Sequence, residues 1–264
     1  MVNNMNLRIM TINIGNPSLQ RAQRQIEWIQ ESNADVIILT EVKVSAGCLL
    51  IEDSFDFLST LLDDSSITKL HIFFPKSKTG DLGVMVLSRY PILESCSCFE
   101  DNHCFYSRCA DVVIDCQGEK IGILGLYVPS RNATQEKILR KSQFIKEIVQ
   151  YIRTKKSSIA LPYIVCGDFN ILERHHVPHY GNFKSWEYDF YDFFQDVGFI
   201  DAFRLKHPTN NEYSWVGRTD NGYRYDHCFL STELAKYIDI CKYIHETRKI
   251  PITDHSALFI SLKK

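Results

Sequence analysis

The sequence predicts an α/β fold in a single domain, on three observations. Short apolar runs bounded by turn residues recur along all 264 residues, stretches of helical periodicity fall between them, and no repeat, low-complexity segment or long linker divides the chain. At about 150 residues per domain the length admits one large unit or two small ones. With no boundary visible, one domain over 1–264 is expected. Apolar residues at 45% and charged residues at 23% exclude a disordered chain, a collagen-like fibre and a coiled coil. The balance of 30 basic against 32 acidic residues, a formal charge of −2, argues against a polybasic nucleic-acid binder, although a local basic groove is compatible with it.

Leu7 to Ile14 reads as the first strand, closed by the turn Gly15-Asn16-Pro17. Ser18 suits a helix cap, and the helix from Leu19 to Ser32 carries apolar Ile26 and Ile29. Ala34 to Thr40 (ADVIILT) is near-continuously apolar, as in strands buried on both faces. Further strands are expected at 69–74, 83–88, 109–116, 120–127, 163–166, 226–230 and 255–262, and helices at 134–154 and 186–198.

The nine cysteines are odd in number and too sparse for a disulfide scaffold. Cys96-Ser-Cys98, with His103 and Cys104 nearby, lacks the second pair that a zinc site needs, so free thiols are expected. The N-terminus has no signal pattern, and no apolar run reaches the roughly 18 residues of a membrane span. A cytoplasmic location follows as the expectation.

Polar groups stand where the apolar strands end: Asn13, Glu41, Tyr127, Asp168 with Asn170, Asp226, and Asp254 with His255. α/β folds carry functional groups at such ends. One carboxylate after a strand is usually a turn or cap. Four acidic groups, two amides, a Tyr and a His at such positions are a stronger signal, and hard oxygen donors of this kind suit Mg²⁺ or Mn²⁺, not zinc.

These residues lie in motifs that resemble the endonuclease/exonuclease/phosphatase superfamily, and within it the exonuclease III-like nucleases. In order, they are Ile12-Asn13, Leu39-Thr40-Glu41-Val42-Lys43, Tyr127-Val128-Pro129, Gly167-Asp168-Phe169-Asn170, Tyr213-Ser214-Trp215, Gly222-Tyr223-Arg224-Tyr225-Asp226 and Thr253-Asp254-His255. The stretch Phe190–Pro208 is also similar to that branch, and the matches run from about residue 7 to 262. The resemblance implies a four-layer α/β sandwich, two packed mixed β-sheets flanked by helices, with a phosphoester-hydrolysing site at one end. It implies that Glu41 is the main metal ligand, with Asn13 and Asp254 completing or supporting the shell. Asp168 would position and deprotonate the attacking water, Asn170 and Tyr127 would contact the phosphate, and His255 would meet its oxygens, oriented by Asp226. The cofactor is Mg²⁺, with Mn²⁺ substituting. An anionic substrate needs such a cation, and clustered carboxylates need one for their own sake.

Other roles stay open. Arg131 and Asn132, after Tyr127, fit phosphate contacts. Ser214, Trp215 and Tyr223 fit either core packing or a nucleotide-contacting wall. His175, His176 and His179 fit a solvated or substrate-facing loop better than zinc. Lys43, Lys76, Lys78, Arg89, Arg131, Arg218 and Arg224 are scattered through expected loops as a possible basic face. The run Ile14-Gly15-Asn16-Pro17, the short loop 216–221 and His227 depart from the family pattern, which weakens abasic-site specificity and leaves the number of metals open. The leading expectation is a DNA exonuclease or endonuclease, acting as a monomer. The alternative is a hydrolase of RNA or a small phosphoester such as an inositol phosphate, lipid head group or nucleotide, and a catalytically dead binding module is the third reading.

Overall fold

The computed structural model describes residues 5–61, 70–158 and 161–264. The chain begins with β1 (Asn6–Asn13), α1 (Leu19–Glu31), β2 (Val36–Val42), α2 (Ala46–Leu61), β3 (His71–Phe73), β4 (Gly83–Ser88) and β5 (Ile92–Cys96). Then come β6 (Cys109–Cys116), β7 (Glu119–Tyr127), α3 (Gln135–Ser158), β8 (Tyr163–Asp168), α4 (Ser185–Asp196), β9 (Phe199–Asp201) and α5 (Ala202–Lys206). The last part holds β10 (Trp215–Val216), β11 (Gly222–Tyr223), β12 (Asp226–Ser231), α6 (Thr232–Ala235), β13 (Ile238–Ile244), α7 (Glu246–Lys249) and β14 (Ala257–Lys263).

Two six-stranded mixed sheets result, ordered β13-β14-β1-β2-β4-β3 and β5-β6-β7-β8-β12-β9. In each, one central pair is parallel, β1 with β2 and β7 with β8, and the neighbours are antiparallel. The apolar strands predicted from the sequence are these central ones. Their opposite faces feed different cores, which is why they read as continuous runs instead of alternating. Ile9, Val36, Ile38, Val84, Ile123 and Ile164 fill the space between the sheets. Met10, Ile12, Ile37 and Leu39 pack outward under α1 and α2. Leu124, Val165 and Phe229 do the same under α3 and α4. The architecture is the four-layer α/β sandwich, one domain, as expected. No helix among the described residues is long and apolar enough to cross a membrane.

Helix α1 is capped by Ser18, whose Oγ accepts from the Arg21 N–H. Among the elements that went unread, three have a plain physical reason. Helix α2 opens with Ala-Gly, but Gly47 is required there because a Cβ would lie 2.0 Å from the Pro17 carbonyl, and Cys48, Ile51 and Phe55 supply the buried face. Strands β5 and β13 are sheet edges, half-solvated, and carry little of the apolar run that marks an inner strand. The strand expected over 69–74 is β3, and Lys69 lies outside the described residues.

A buried charge network ties the outer loops to the second sheet. Arg224, 0% exposed, donates to Asp201 Oδ2 at 2.9 Å, Glu173 Oε2 at 2.8 Å and the Tyr191 hydroxyl at 3.2 Å, and Arg204 also pairs with Glu173. Arg224 is therefore a core cation, not a member of a basic surface, because withdrawing it would strand two buried carboxylates. His176 is likewise structural. It bonds the Pro178 carbonyl through Nδ1 and accepts the Arg224 N–H at Nε2.

Burial alone would raise the Glu173 carboxyl, but the hydrogen bond from Arg204 and the charges of Arg224 and Arg204 outweigh it and hold the group at about 2, below its ordinary 4.5. A depressed folded value means that this group's stabilisation is complete above about pH 4.5 and disappears as pH falls toward 2. Glu173→Gln is expected to be about 3 kcal/mol less stable than wild type in urea at neutral pH, and the gap should close over that acid window. A gap independent of pH would show that the carboxylate charge is not the stabilising feature.

Candidate active site

The parallel pairs set the geometry. β1, β2, β7 and β8 all end at the same edge of the sandwich, and the antiparallel β12 starts there. Register then places Tyr127 opposite Asp168, and Asp168 directly opposite Asp226, in one row across three strands. Gly167 makes the row possible. Its φ is +147°, and a Cβ there would lie 2.0 Å from the Leu126 carbonyl oxygen, so only glycine fits. In the first sheet a bulge between Thr40 and Val42 puts Glu41 at φ +57° and turns it out of the ladder at the site.

Asp168 is held on both oxygens, by Asn13 Nδ2 at 2.9 Å and by the Asn170 N–H at 3.0 Å. Asn13 is itself fixed, its Oδ1 accepting the Gly15 N–H at 2.9 Å. His255 Nδ1 bonds Asp226 Oδ2 at 2.7 Å, which leaves Nε2 for the cavity. The Tyr127 hydroxyl donates to Glu41 Oε1 at 3.0 Å, and Trp215 Nε1 donates to Asp254 Oδ2 at 2.9 Å. One ligand atom from each of Asp168, Asp226 and His255 lies within 4.8 Å of the others. The open cavity above them, of about 330 Å³, is also lined by Glu41, Asn170, Trp215, Tyr225 and Asp254.

The electrostatics follow from burial and crowding. Burial and the facing Asp226 charge, with Glu41 behind, push the Asp168 carboxyl up to about 7, while His255 and the Asn13 bond pull the other way. Burial alone would lower the His255 imidazole. The charge and hydrogen bond of Asp226, with Asp168 and Asp254, outweigh it and carry it to about 10, so the ring is a cation at neutral pH. Burial first, then Glu41 and Asp168, raise the Tyr127 phenol, which stays a hydrogen-bond donor.

A divalent cation fits this donor set. Asp226 Oδ1 is buried without a hydrogen-bond partner; Glu187 is paired with Arg131 and Lys141, which leaves Glu41, Asp168, Asp226 and Asp254 with His255 as the nearby cation. All the free donors are hard oxygens, and the histidine is spent on Asp226. The tightest group (Asp168, Asp226, His255) differs from the expected metal set Glu41, Asn13 and Asp254, of which Glu41 and Asp254 line the cavity wall.

Three residues expected as substrate contacts are engaged within the protein. Ser214 is 0% exposed, and its Oγ accepts the N–H groups of Tyr225 and Asp226 at 2.9 and 3.0 Å, which secures the Asp226 backbone. Asn132 accepts from the N–H and hydroxyl of Thr134, an Asx turn leading into α3, and does not line the cavity. Arg131 does line it, but its guanidinium is committed to Glu187 and to the Asn182 carbonyl at 2.7 Å. Trp215 and Tyr223 belong to none of the three hydrophobic cores, which resolves their reading away from core packing. His175 and His179 are exposed, and no group of metal-ligating side chains forms around them among the described residues.

Two residues went unread. Lys141, 1% exposed, donates to the Asn170 carbonyl at 2.6 Å and to Glu187 Oε1 at 2.7 Å, beneath the cavity. Burial pushes its ammonium down to about 8 against the pull of Glu187. A lone Lys and Glu on two amphipathic helices carry no sequence signal of this kind, since charged helical positions ordinarily face water.

Comparison with known proteins agrees with this geometry. The chain is 23% identical over 250 residues to an exodeoxyribonuclease of Bacillus subtilis (strain 168), covering 88% of this chain and 91% of that protein. It superposes on an AP endonuclease from Archaeoglobus fulgidus with a TM-score of 0.79 at 21% identity, covering 97% and 99% of the two chains. It superposes on a 3′ phosphatase from Neisseria bound to product DNA hairpin with a TM-score of 0.80 at 18% identity, again over 97% and 99%. The sequence profile of the Endonuclease/Exonuclease/phosphatase family matches residues 10–255, from β1 to the site histidine, and the chain belongs to that family.

Proposed function

We propose that this protein is a divalent-cation-dependent phosphodiesterase that cleaves DNA in the manner of exonuclease III-type nucleases. The observation that carries the reading is the buried row of Asp168, Asp226 and imidazolium His255 at the base of an acid-lined cavity. The exodeoxyribonuclease relative and the DNA-bound 3′ phosphatase support DNA as the substrate. The nine cysteines, all free thiols, support a reducing, cytoplasmic setting.

Glu41 and Asp254 would hold Mg²⁺ or Mn²⁺, with Asn13 supporting the shell through its bond to Asp168. When bound, that cation neutralises the substrate phosphate and stabilises the charge developing on the leaving oxygen. The other steps belong to side chains. Asp168 accepts a proton from the attacking water. Burial and the Asp226 charge raise this carboxyl, which makes it a stronger base for that proton. Asn13 and the Asn170 N–H keep it aimed. His255 donates Nε2–H to a non-bridging phosphate oxygen, and Asp226 holds the ring in place and in its cationic form. Asn170 Nδ2, which spends one proton on the Val128 carbonyl at 3.1 Å, offers the second to the phosphate. Tyr127 fixes the Glu41 carboxylate.

Mg²⁺ or Mn²⁺ is expected to support cleavage of labelled DNA oligonucleotides, and EDTA to abolish it. Glu41→Ala and His255→Ala should each lower kcat/KM by about 10² to 10⁴, and full activity in either would falsify the site assignment. A panel of abasic duplex, nicked duplex, single-stranded DNA, RNA and bis-p-nitrophenyl phosphate, with salt varied, sorts the substrates. Activity confined to the small ester would replace DNA with a small phosphoester.

Trp215→Phe removes the hydrogen bond that orients Asp254. The Mg²⁺ concentration for half-maximal activity is expected to rise about tenfold, with activity recovering as Mg²⁺ is increased. An unchanged half-saturation would remove Asp254 from the metal shell.

A further inference from the structure

Lys141 stands in α3 where an apolar residue would ordinarily be. Buried Phe144, Ile145, Ile148 and Ile152 follow it at helical spacing, so all five share the face that packs on the second sheet. Burial disfavours the charged ammonium there, and Glu187 and Asp168 favour it against the opposing charge of Arg131. Glu187 does not by itself explain the lysine. That carboxylate, 0% exposed, also accepts the Arg131 Nε–H at 3.1 Å and the Lys184 N–H at 2.9 Å, so Arg131 alone would neutralise it. Arg131 directs its other donors to the Asn132 and Asn182 carbonyls. The Asn170 carbonyl, 2.6 Å from Nζ, is left to Lys141.

Asn170 is a residue that needs holding. Its backbone is left-handed, at φ +49°, a conformation that strains any side chain and that only glycine adopts freely. Three of its groups are engaged at once. The N–H meets Asp168 Oδ1 at 3.0 Å, Nδ2 donates to the Val128 carbonyl at 3.1 Å, and the carbonyl accepts from Lys141. Ties at the N–H and at the carbonyl fix both peptide planes that flank the residue. Released at the carbonyl end, the backbone is free to relax toward an ordinary φ, which swings the N–H off Asp168 and carries Nδ2 away from the cavity. A glycine would keep the backbone without help but has no side chain to offer.

We infer that Lys141 is a positioning residue for hydrolysis: by holding the Asn170 carbonyl it keeps the N–H of that residue aimed at Asp168 and its Nδ2 at the phosphate. The inference rests on the DNA-hydrolase reading for its reaction. It is tested in the full chain with Lys141→Met, Asn170→Gly and the double variant, on a fluorescein-labelled DNA oligonucleotide in Mg²⁺. Lys141→Met fills the apolar stripe and leaves Glu187 paired with Arg131. Its kcat is expected to fall about 10²-fold with KM changed by no more than about twofold. Asn170→Gly is slower in its own right, through loss of Nδ2. Glycine needs no grip, however, so adding Lys141→Met to it should lower kcat by no more than about threefold. A role confined to packing gives the same factor in both backgrounds, and that result overturns the proposal, as does wild-type kcat in Lys141→Met. Amide exchange followed by NMR reads the same grip without turnover. The Asn170 N–H should exchange at least about tenfold faster in Lys141→Met, while the amides of β8 keep their protection. An unchanged Asn170 amide also overturns the proposal. If wild type leaves the oligonucleotide intact while that amide responds, the hydrolase reading falls and the grip on Asn170 stands. If Lys141→Met does not fold, Lys141→Gln carries the same comparisons.

Discussion

Asp168 and Asp226 face each other across adjacent antiparallel strands, both buried, and like charges in directly opposed positions destabilise a sheet. The rest of the site is organised around that pair. Asn13 from the other sheet, the Asn170 N–H and the imidazolium of His255 each supply a donor to one of the two carboxylates, and Asp226 still keeps one oxygen without a partner. Repulsion that the hydrogen bonds leave uncompensated is the physical reason the site calls for a cation. Burial, with the Asp226 charge beside it, raises the Asp168 carboxyl, and the same Asp226 charge holds His255 cationic against burial.

Holding such a pair demands rigidity, and the fold supplies it in two tiers. Asn13, Tyr127, Asp168 and Asp226 sit at the ends of inner strands whose faces are packed between sheets and under helices. The pieces that surround the cavity are instead fastened by buried ion groups: Arg224 with Asp201 and Glu173, and Lys141 with Glu187 and Arg131. Such groups contribute little net stability against an apolar replacement, but breaking one partner leaves an uncompensated charge. They therefore act as fasteners with one permitted arrangement. Lys141 on the Asn170 carbonyl is the clearest case, because it grips a residue at φ +49° whose N–H must point at Asp168.

The inner strands and helices α1, α3 and α4 were legible because their physics is periodic and local: ADVIILT needs no partner to read as a doubly buried strand, and Ser18 needs none to read as a cap. The polar residues at strand ends were legible for the complementary reason, as isolated polar groups closing apolar runs. What resisted reading depends on register and long-range pairing. Nothing local in Ser214 tells that its hydroxyl will hold two N–H groups of the Asp226 strand, or in Arg224 that it will be fully buried between two acids. Arg131 and Asn132 looked like phosphate contacts by proximity to Tyr127, yet one is claimed by Glu187 56 residues away and the other by its own turn. Edge strands β5 and β13 and the Gly-containing α2 were hidden because their stability comes from neighbours, not from pattern.

The division between sheet-borne and loop-borne residues bears on specificity. Asn13, Tyr127, Asp168 and Asp226 are fixed by ladder hydrogen bonds, so they cannot shift without unzipping a central strand. Tyr180, Phe183 and Trp215 lie between β8 and β12, outside the cores, and their rings meet Tyr223 or Tyr225. Changing the wall therefore leaves the strands of the centre in place, with Trp215 the exception that reaches it through Asp254. A formal charge near zero becomes intelligible in the same terms: carboxylates concentrated at one edge of the sandwich are the charge a resident cation would cancel.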